Sequence, residues 1–217
     1  MGTNDQIILR QIVQQKIDEM ESKPTEGEFF ERFVSEQILK NYNLSYDEIE
    51  AGIVDGGNDG GIDAIYVLIN GELINIDSDV SEFKRNIRID MFVIQSKATN
   101  SFSEISVERL ISSTNDLLNF SVSIPLLKTH YNIKLVEIIE KFRKAYHSLL
   151  TKHPELYLTY IYASYGDTDE IHQNVEWKKN KLCETVTQLL DANFEFQFQG
   201  HLNYSKTSEK YHPQPSN

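Results

Sequence analysis

Residues Ile89–Lys97 constrain this chain more than any other segment, because the run is apolar on both faces near its middle. Met91 and Val93 lie on one side, Phe92 and Ile94 on the other. Successive side chains of a strand point to opposite faces, so a run of this kind needs cover from both sides. It reads as a central strand in a sheet flanked by helices. At 217 residues the chain suits one α/β domain, and a 40% hydrophobic fraction is enough to fill its core.

The flanking patterns agree. Residues 5–22 have helical periodicity, with Ile7, Ile8, Ile12, Val13 and Ile17 on one side and Pro24 as the stop. Thr25 and Glu28 form a capping box that opens a second helix, whose buried face is Phe30, Phe33, Val34 and Ile38. Residues 49–54 read as a short strand, and the glycine-rich stretch 55–61 as a turn or loop. Ile62–Ile69 is a strand, Asn70-Gly71 supplies a two-residue hairpin turn, and Glu72–Ile76 returns before a polar loop over 77–88.

Helices follow at 103–119, with Ser103 as cap, and at 132–152. Leu156–Tyr165, a helix at about 169–191 and Phe194–Phe198 make a βαβ unit, whose right-handed crossover makes the two strands parallel. Phe194, Phe196 and Phe198 alternate with Glu195, Gln197 and Gln199, so the last strand has one wet face. Beyond Gly200 the composition turns polar, which sets a domain over 1–199 and a tail or linker over 200–217. The expected class is α/β, a mixed sheet with helices on both faces.

Composition narrows the setting. No apolar run approaches the roughly 20 residues that span a bilayer, so no membrane partner is expected. The start lacks a signal peptide's basic and apolar regions, and Gln6 stands where myristoylation needs Ser or Thr. Cytoplasmic is the expected location. The single cysteine, Cys183, excludes an internal disulfide and reads as a core residue of its helix. The six histidines show no pair at metal-ligand spacing, and the glycine-rich stretch lacks the Gly-Lys-Ser/Thr ending of a phosphate-binding loop.

A net charge of −12 speaks against a broad basic surface, because affinity for phosphates comes largely from Lys and Arg. It leaves room for a local basic rim. Lys84, Arg85 and Arg88 form one candidate and Lys178, Lys179 and Lys181 another, although the plainer reading of both is solvated loop and helix surface.

The chemistry concentrates in two short strings. Asp59-Gly60-Gly61-Ile62-Asp63 delivers an acid at the start of a strand, and Gln95-Ser96-Lys97 follows about thirty residues on, at the end of the central one. Gln95 and Lys97 are two apart and share a strand face. One carboxylate, one amide oxygen and one ammonium meeting at a point can hold a cation and steady developing negative charge on a phosphate. Asp63 sits in an apolar run, where an unpartnered carboxylate carries a desolvation cost. Asp59 fits a turn aspartate that bonds its own backbone. Glu31 has Ser35, not a cation, four residues on, and shares a helix side with Val34 and Ile38. The bland alternatives are a lysine emerging from a strand end and a boundary glutamate reaching water.

Phe30-Glu31, Asp59-Gly60-Gly61-Ile62-Asp63 and Val93-Ile94-Gln95-Ser96-Lys97 together resemble the PD-(D/E)xK nuclease superfamily. The likeness is to Mrr-like restriction endonucleases, in which glutamine replaces one acid. The string Gly-Gly-Ile-Asp-Ala-Ile-Tyr-Val resembles the N-terminal domain of the abortive-infection phage resistance (AIPR) family still more. The resemblance covers residues 28–100. It implies a restriction-endonuclease-like fold, with Asp63 as the principal metal ligand and Gln95 as second ligand or water positioner. It further implies Lys97 as catalytic lysine and Glu31 as auxiliary acid and ligand. The activity implied is Mg²⁺- or Mn²⁺-dependent endonucleolytic cleavage of DNA, in defence against phage or foreign DNA. Family members carry a large C-terminal region, so a missing targeting part and weak, sequence-indifferent binding are expected here. The rivals are a catalytically silent acidic α/β module that binds protein or acts as a sensor, and an RNA nuclease. A homodimer is left open.

Overall fold

The computed structural model describes residues 4–74 and 80–208. Its centre is a five-stranded mixed sheet in the order β2-β1-β3-β4-β5, made of β1 (Ala64–Ile69), β2 (Glu72–Leu73), β3 (Arg88–Lys97), β4 (Glu155–Ser164) and β5 (Asn193–Gln199). β1 runs antiparallel to β2 and β3, while β3, β4 and β5 are parallel. β3 is therefore the central strand that its two apolar faces require. The Asn70-Gly71 turn has both residues at positive φ, 51° and 87°, as a primed hairpin turn needs.

The eight helices of the described residues divide between the two faces. Ile65, Val67, Met91, Val93, Leu158 and Tyr160 point toward α4 (Glu104–Leu117), α5 (Ile124–His130), α6 (Ile133–Leu149) and α7 (Gln173–Leu189). Ala64, Tyr66, Leu68, Ile94, Ile161 and Ala163 point toward α1 (Asn4–Glu19), α2 (Glu26–Leu39), α3 (Tyr46–Gly52) and α8 (His201–Ser208). The fold is α/β with helices on both faces. No described helix is long and apolar enough to cross a membrane.

Several local expectations are corrected. Residues 49–54 do not form a strand: they belong to α3 and a single bridge from Ile53 to Ala64. Ser45 and Glu48 make the same reciprocal cap there that Thr25 and Glu28 make on α2, and that cap outweighs the β-branched Ile49 and Ile53. α1 buries Leu9, Val13 and Ile17 together with Gln6, while Ile7 and Ile8 are 48% and 49% exposed. Cys183 is exposed, not core. Residues 201–208 form a helix where a polar tail is expected. Tyr204 is 1% exposed, with its ring edge-on to Phe30 and Phe33, so the core reaches beyond 199. Residues 75 and 76 of the expected return strand lie outside the described residues, as do 209–217 of the expected tail.

Candidate active site

The C-terminal end of β3 and the turn that leads into β1 lie side by side, because the two strands are antiparallel neighbours with Ala64 opposite Ile94. The turn is held in place from several directions. Asp59 Oδ1 accepts from the Gly61 N–H at 2.6 Å, the self-bonding turn aspartate that its sequence position suggests. The Asn132 N–H donates to the Asn58 carbonyl, and the Asn132 side chain donates to the Asp55 carbonyl. Gly60 and Gly61 have φ of +66° and +83°, and a Cβ on either would start within 3.0 Å of a neighbouring side chain: Ser113 and Tyr131 for Gly60, Arg109 for Gly61. Both positive φ and close approach to α4 require glycine here.

Asp63 is delivered into a cradle of donors. It is 7% exposed, between Gln95 at 1% and Ser96 at 3%. Its Oδ2 accepts from Gln95 Nε2 at 2.5 Å, from the Ser96 N–H at 2.6 Å and from Ser96 Oγ at 3.2 Å. Oδ1 accepts no hydrogen bond from the described residues, yet it is not sealed from solvent. Burial pushes the Asp63 carboxyl up from its ordinary 3.8 to about 6; Lys97 and the Ser96 N–H pull it down, and Asp59 pushes it up.

Glu31, on α2, lies within electrostatic reach of Asp63 and Lys97. Its carboxyl is pushed up to about 7, first by burial and second by the charge of Asp63, with Lys97 opposing. Lys97 is half-buried and has no ion pair within 4.0 Å among the described residues. Glu31, Asp63 and Lys97 thus act on one another electrostatically, and Gln95 touches Asp63 directly.

The orientation of Gln95 is the main surprise. Only its nitrogen can donate to a carboxylate, so the amide oxygen faces away, 3.3 Å from where a Gly61 side chain would begin. As arranged, Gln95 fixes Asp63 and does not offer an oxygen beside it; ligating a cation requires the amide to turn over. Ser96 is the partner that sequence reading missed, since its neighbours in the motif draw attention to side chains while its backbone N–H makes the contact. Among the described residues, no group of three His, Cys, Asp or Glu side chains is arranged to hold a metal ion.

The two candidate basic rims lie elsewhere or are neutralised. Residues 84–88 enter β3 at its N-terminal end, a ten-residue strand away from Lys97. Arg88 there is bound to Asp90 at 2.7 Å and lies 3.8 Å from the Tyr157 ring. Lys178, Lys179 and Lys181 pair with Glu108, Glu176 and Glu184. Glu28 turns back to Thr25, and Arg32 pairs with Glu50. Comparison with protein-family models, with curated proteins and with solved structures finds no match to this chain.

Proposed function

We propose that this chain is a Mg²⁺- or Mn²⁺-dependent endonuclease domain that hydrolyses phosphodiester bonds of DNA at the C-terminal end of β3. The observation that carries the reading is Asp63, a nearly buried carboxylate with one oxygen fixed by three donors and the other without a hydrogen bond from the described residues and not sealed from solvent. A fold does not retain so costly a charge cheaply. Glu31 and Lys97 within its electrostatic reach supply a second acid and a cation.

Mg²⁺ is commonly held by one or two carboxylates, with waters and substrate phosphates completing its shell. Asp63 and Glu31 fit that demand, and the site would bind the ion weakly until a phosphate joins. When bound, such a cation would polarise the phosphate and lower the pKa of a bound water. Gln95 and Ser96 keep Asp63 aimed, and Lys97 steadies negative charge that develops on the phosphate. A role in defence against phage or foreign DNA comes with the resemblance and belongs to this proposal.

A second reading has an observation of its own. Gln95 is neutral and spends its donor on Asp63, so it adds no acid of its own to Asp63 and Glu31, as suits a silent binding or sensor module on the same fold. Calorimetric titration with Mn²⁺, paired with cleavage of plasmid, linear duplex and structured RNA, separates the two. The nuclease reading expects Asp63→Ala to lose both metal and cleavage, and Lys97→Ala to keep metal while the rate falls steeply. Metal binding without cleavage of any substrate would favour the silent module.

A further inference from the structure

The arginines of the described residues are unevenly committed. Arg10, Arg32 and Arg88 are each held to a carboxylate, and Arg143 is held to a row of backbone carbonyls. Arg109 is exposed, and its guanidinium makes no hydrogen bond or ion pair with the described residues. Its root is nonetheless fixed against the acid-bearing turn. A side chain at Gly61 would start 2.9 Å from the Arg109 Cβ and 3.3 Å from the Gln95 amide oxygen, so Arg109 and Gln95 border one spot. Helical side chains lean toward the helix N-terminus. In α4 that end is the one next along the chain from Lys97, so this general lean would carry the Arg109 side chain toward the Lys97 end of the sheet.

This placement answers a difficulty in the proposed function. Asp55, Asp59, Asp63 and Glu31 gather in one region, and Lys97 is the cation that acts on Asp63 and Glu31. A polyanionic strand approaching that region is repelled unless further positive charge meets its phosphates. Arginine suits the task, with a planar fork that binds phosphate through two parallel hydrogen bonds.

We propose that Arg109 binds a backbone phosphate of the nucleic-acid strand and seats it beside the Asp63–Lys97 site. The inference rests on the nuclease reading and adds a positioning residue to it. Arg109 acts on substrate affinity, whereas Lys97 acts on the rate of the chemical step.

The test uses the full chain, a fluorescent DNA duplex and Ca²⁺ in place of Mg²⁺ to hold off cleavage, with anisotropy read across a salt series. Arg109→Ala should weaken binding about tenfold and reduce the slope of log K against log salt by about one. Arg109→Lys should restore the slope but only part of the affinity. Arg85→Ala removes another arginine that has no partner among the described residues, at the far end of β3, and should leave both unchanged. In Mg²⁺, Arg109→Ala should raise KM and spare kcat. Unchanged affinity and slope in Arg109→Ala, or an equal loss in Arg85→Ala, overturns the assignment. Parent protein that binds the duplex but never cleaves it ends the nuclease reading and leaves the Arg109 comparison standing. Parent protein that binds no nucleic acid ends both.

Discussion

Replacing Asp63 by asparagine should make the metal-free protein more stable, and the gain should depend on pH. The side chains are the same size, and an asparagine oxygen can still accept from Gln95 and from the Ser96 N–H where Oδ2 does now. What disappears is the charge. In the folded state the Asp63 carboxyl titrates near pH 6 in place of 3.8. Between those values the folded chain holds a proton that the unfolded chain has released, so stability falls as pH rises through the window. The penalty is absent below about pH 4 and complete above about pH 6. A shift of that size corresponds to roughly 3 kcal/mol. The loss of charge-assisted hydrogen bonds offsets part of it, which leaves a gain of about 1–2 kcal/mol at pH 8. For a domain of this length that is roughly 2–8 °C in Tm. Urea melts in EDTA at pH 8 and pH 4, with parent and variant side by side, read the effect directly. A variant less stable than the parent at pH 8, or one whose advantage persists unchanged at pH 4, would refute the claim that the three donors and Lys97 compensate the buried Asp63 charge only in part.

Two further perturbations follow from particular contacts. Gln95→Glu replaces a donor 2.5 Å from the Asp63 oxygen with a second carboxylate, and like charges that close cannot both ionise freely. Melting in EDTA at pH 8 should show a loss of about 2–4 kcal/mol, largely recovered by millimolar Mn²⁺; a variant that neither loses stability nor gains metal affinity would place Gln95 outside the cation's reach. Tyr204→Ala empties a fully buried aromatic position between α8 and α2 and should cost roughly 3–5 kcal/mol in urea unfolding. A cost below 1 kcal/mol would mean that α8 is dispensable to the core.

The strands were legible because their signals are local and strong. Ile62–Ile69, the Asn70-Gly71 turn and the doubly apolar β3 each carry their pairing in their own residues, and the structure forms β1, the primed turn and the central strand from them. The helices that the sequence pattern does not show depend on features of less obvious weight. In α3 the Ser45–Glu48 cap decided against a strand, and in α5 a proline in the first turn marked a start that hydrophobic periodicity over seven residues is too short to reveal. α8 is polar in composition, and it is a helix because Tyr204 has a ring-lined place to go on α2, which no local pattern can announce. For α1, the direction of the buried stripe was set by what it leans on, so a reading from isoleucine positions turned the helix too far.

The site divides in the same way. Strand periodicity and the glycine turn marked Asp63 and Gln95 as partners on neighbouring strands, and the antiparallel pairing of β1 and β3, which no local signal fixes, sets them side by side. The direction of the Gln95 amide was not legible, because it is decided by which group needs a donor once Asp63 is buried. The Ser96 N–H and the hold of Asn132 on the turn were invisible for a related reason: both are backbone contacts between segments distant in sequence.

Cleavage of supercoiled plasmid tests the proposed role of Asp63 most directly, with parent protein and Asp63→Asn compared in Mg²⁺, in Mn²⁺ and in EDTA. The parent should nick the plasmid with either cation and not in EDTA, and Asp63→Asn should leave it intact while melting no lower than the parent at pH 8. Equal cleavage by Asp63→Asn, or none by the parent with either cation, would contradict a metal-dependent nuclease centred on Asp63.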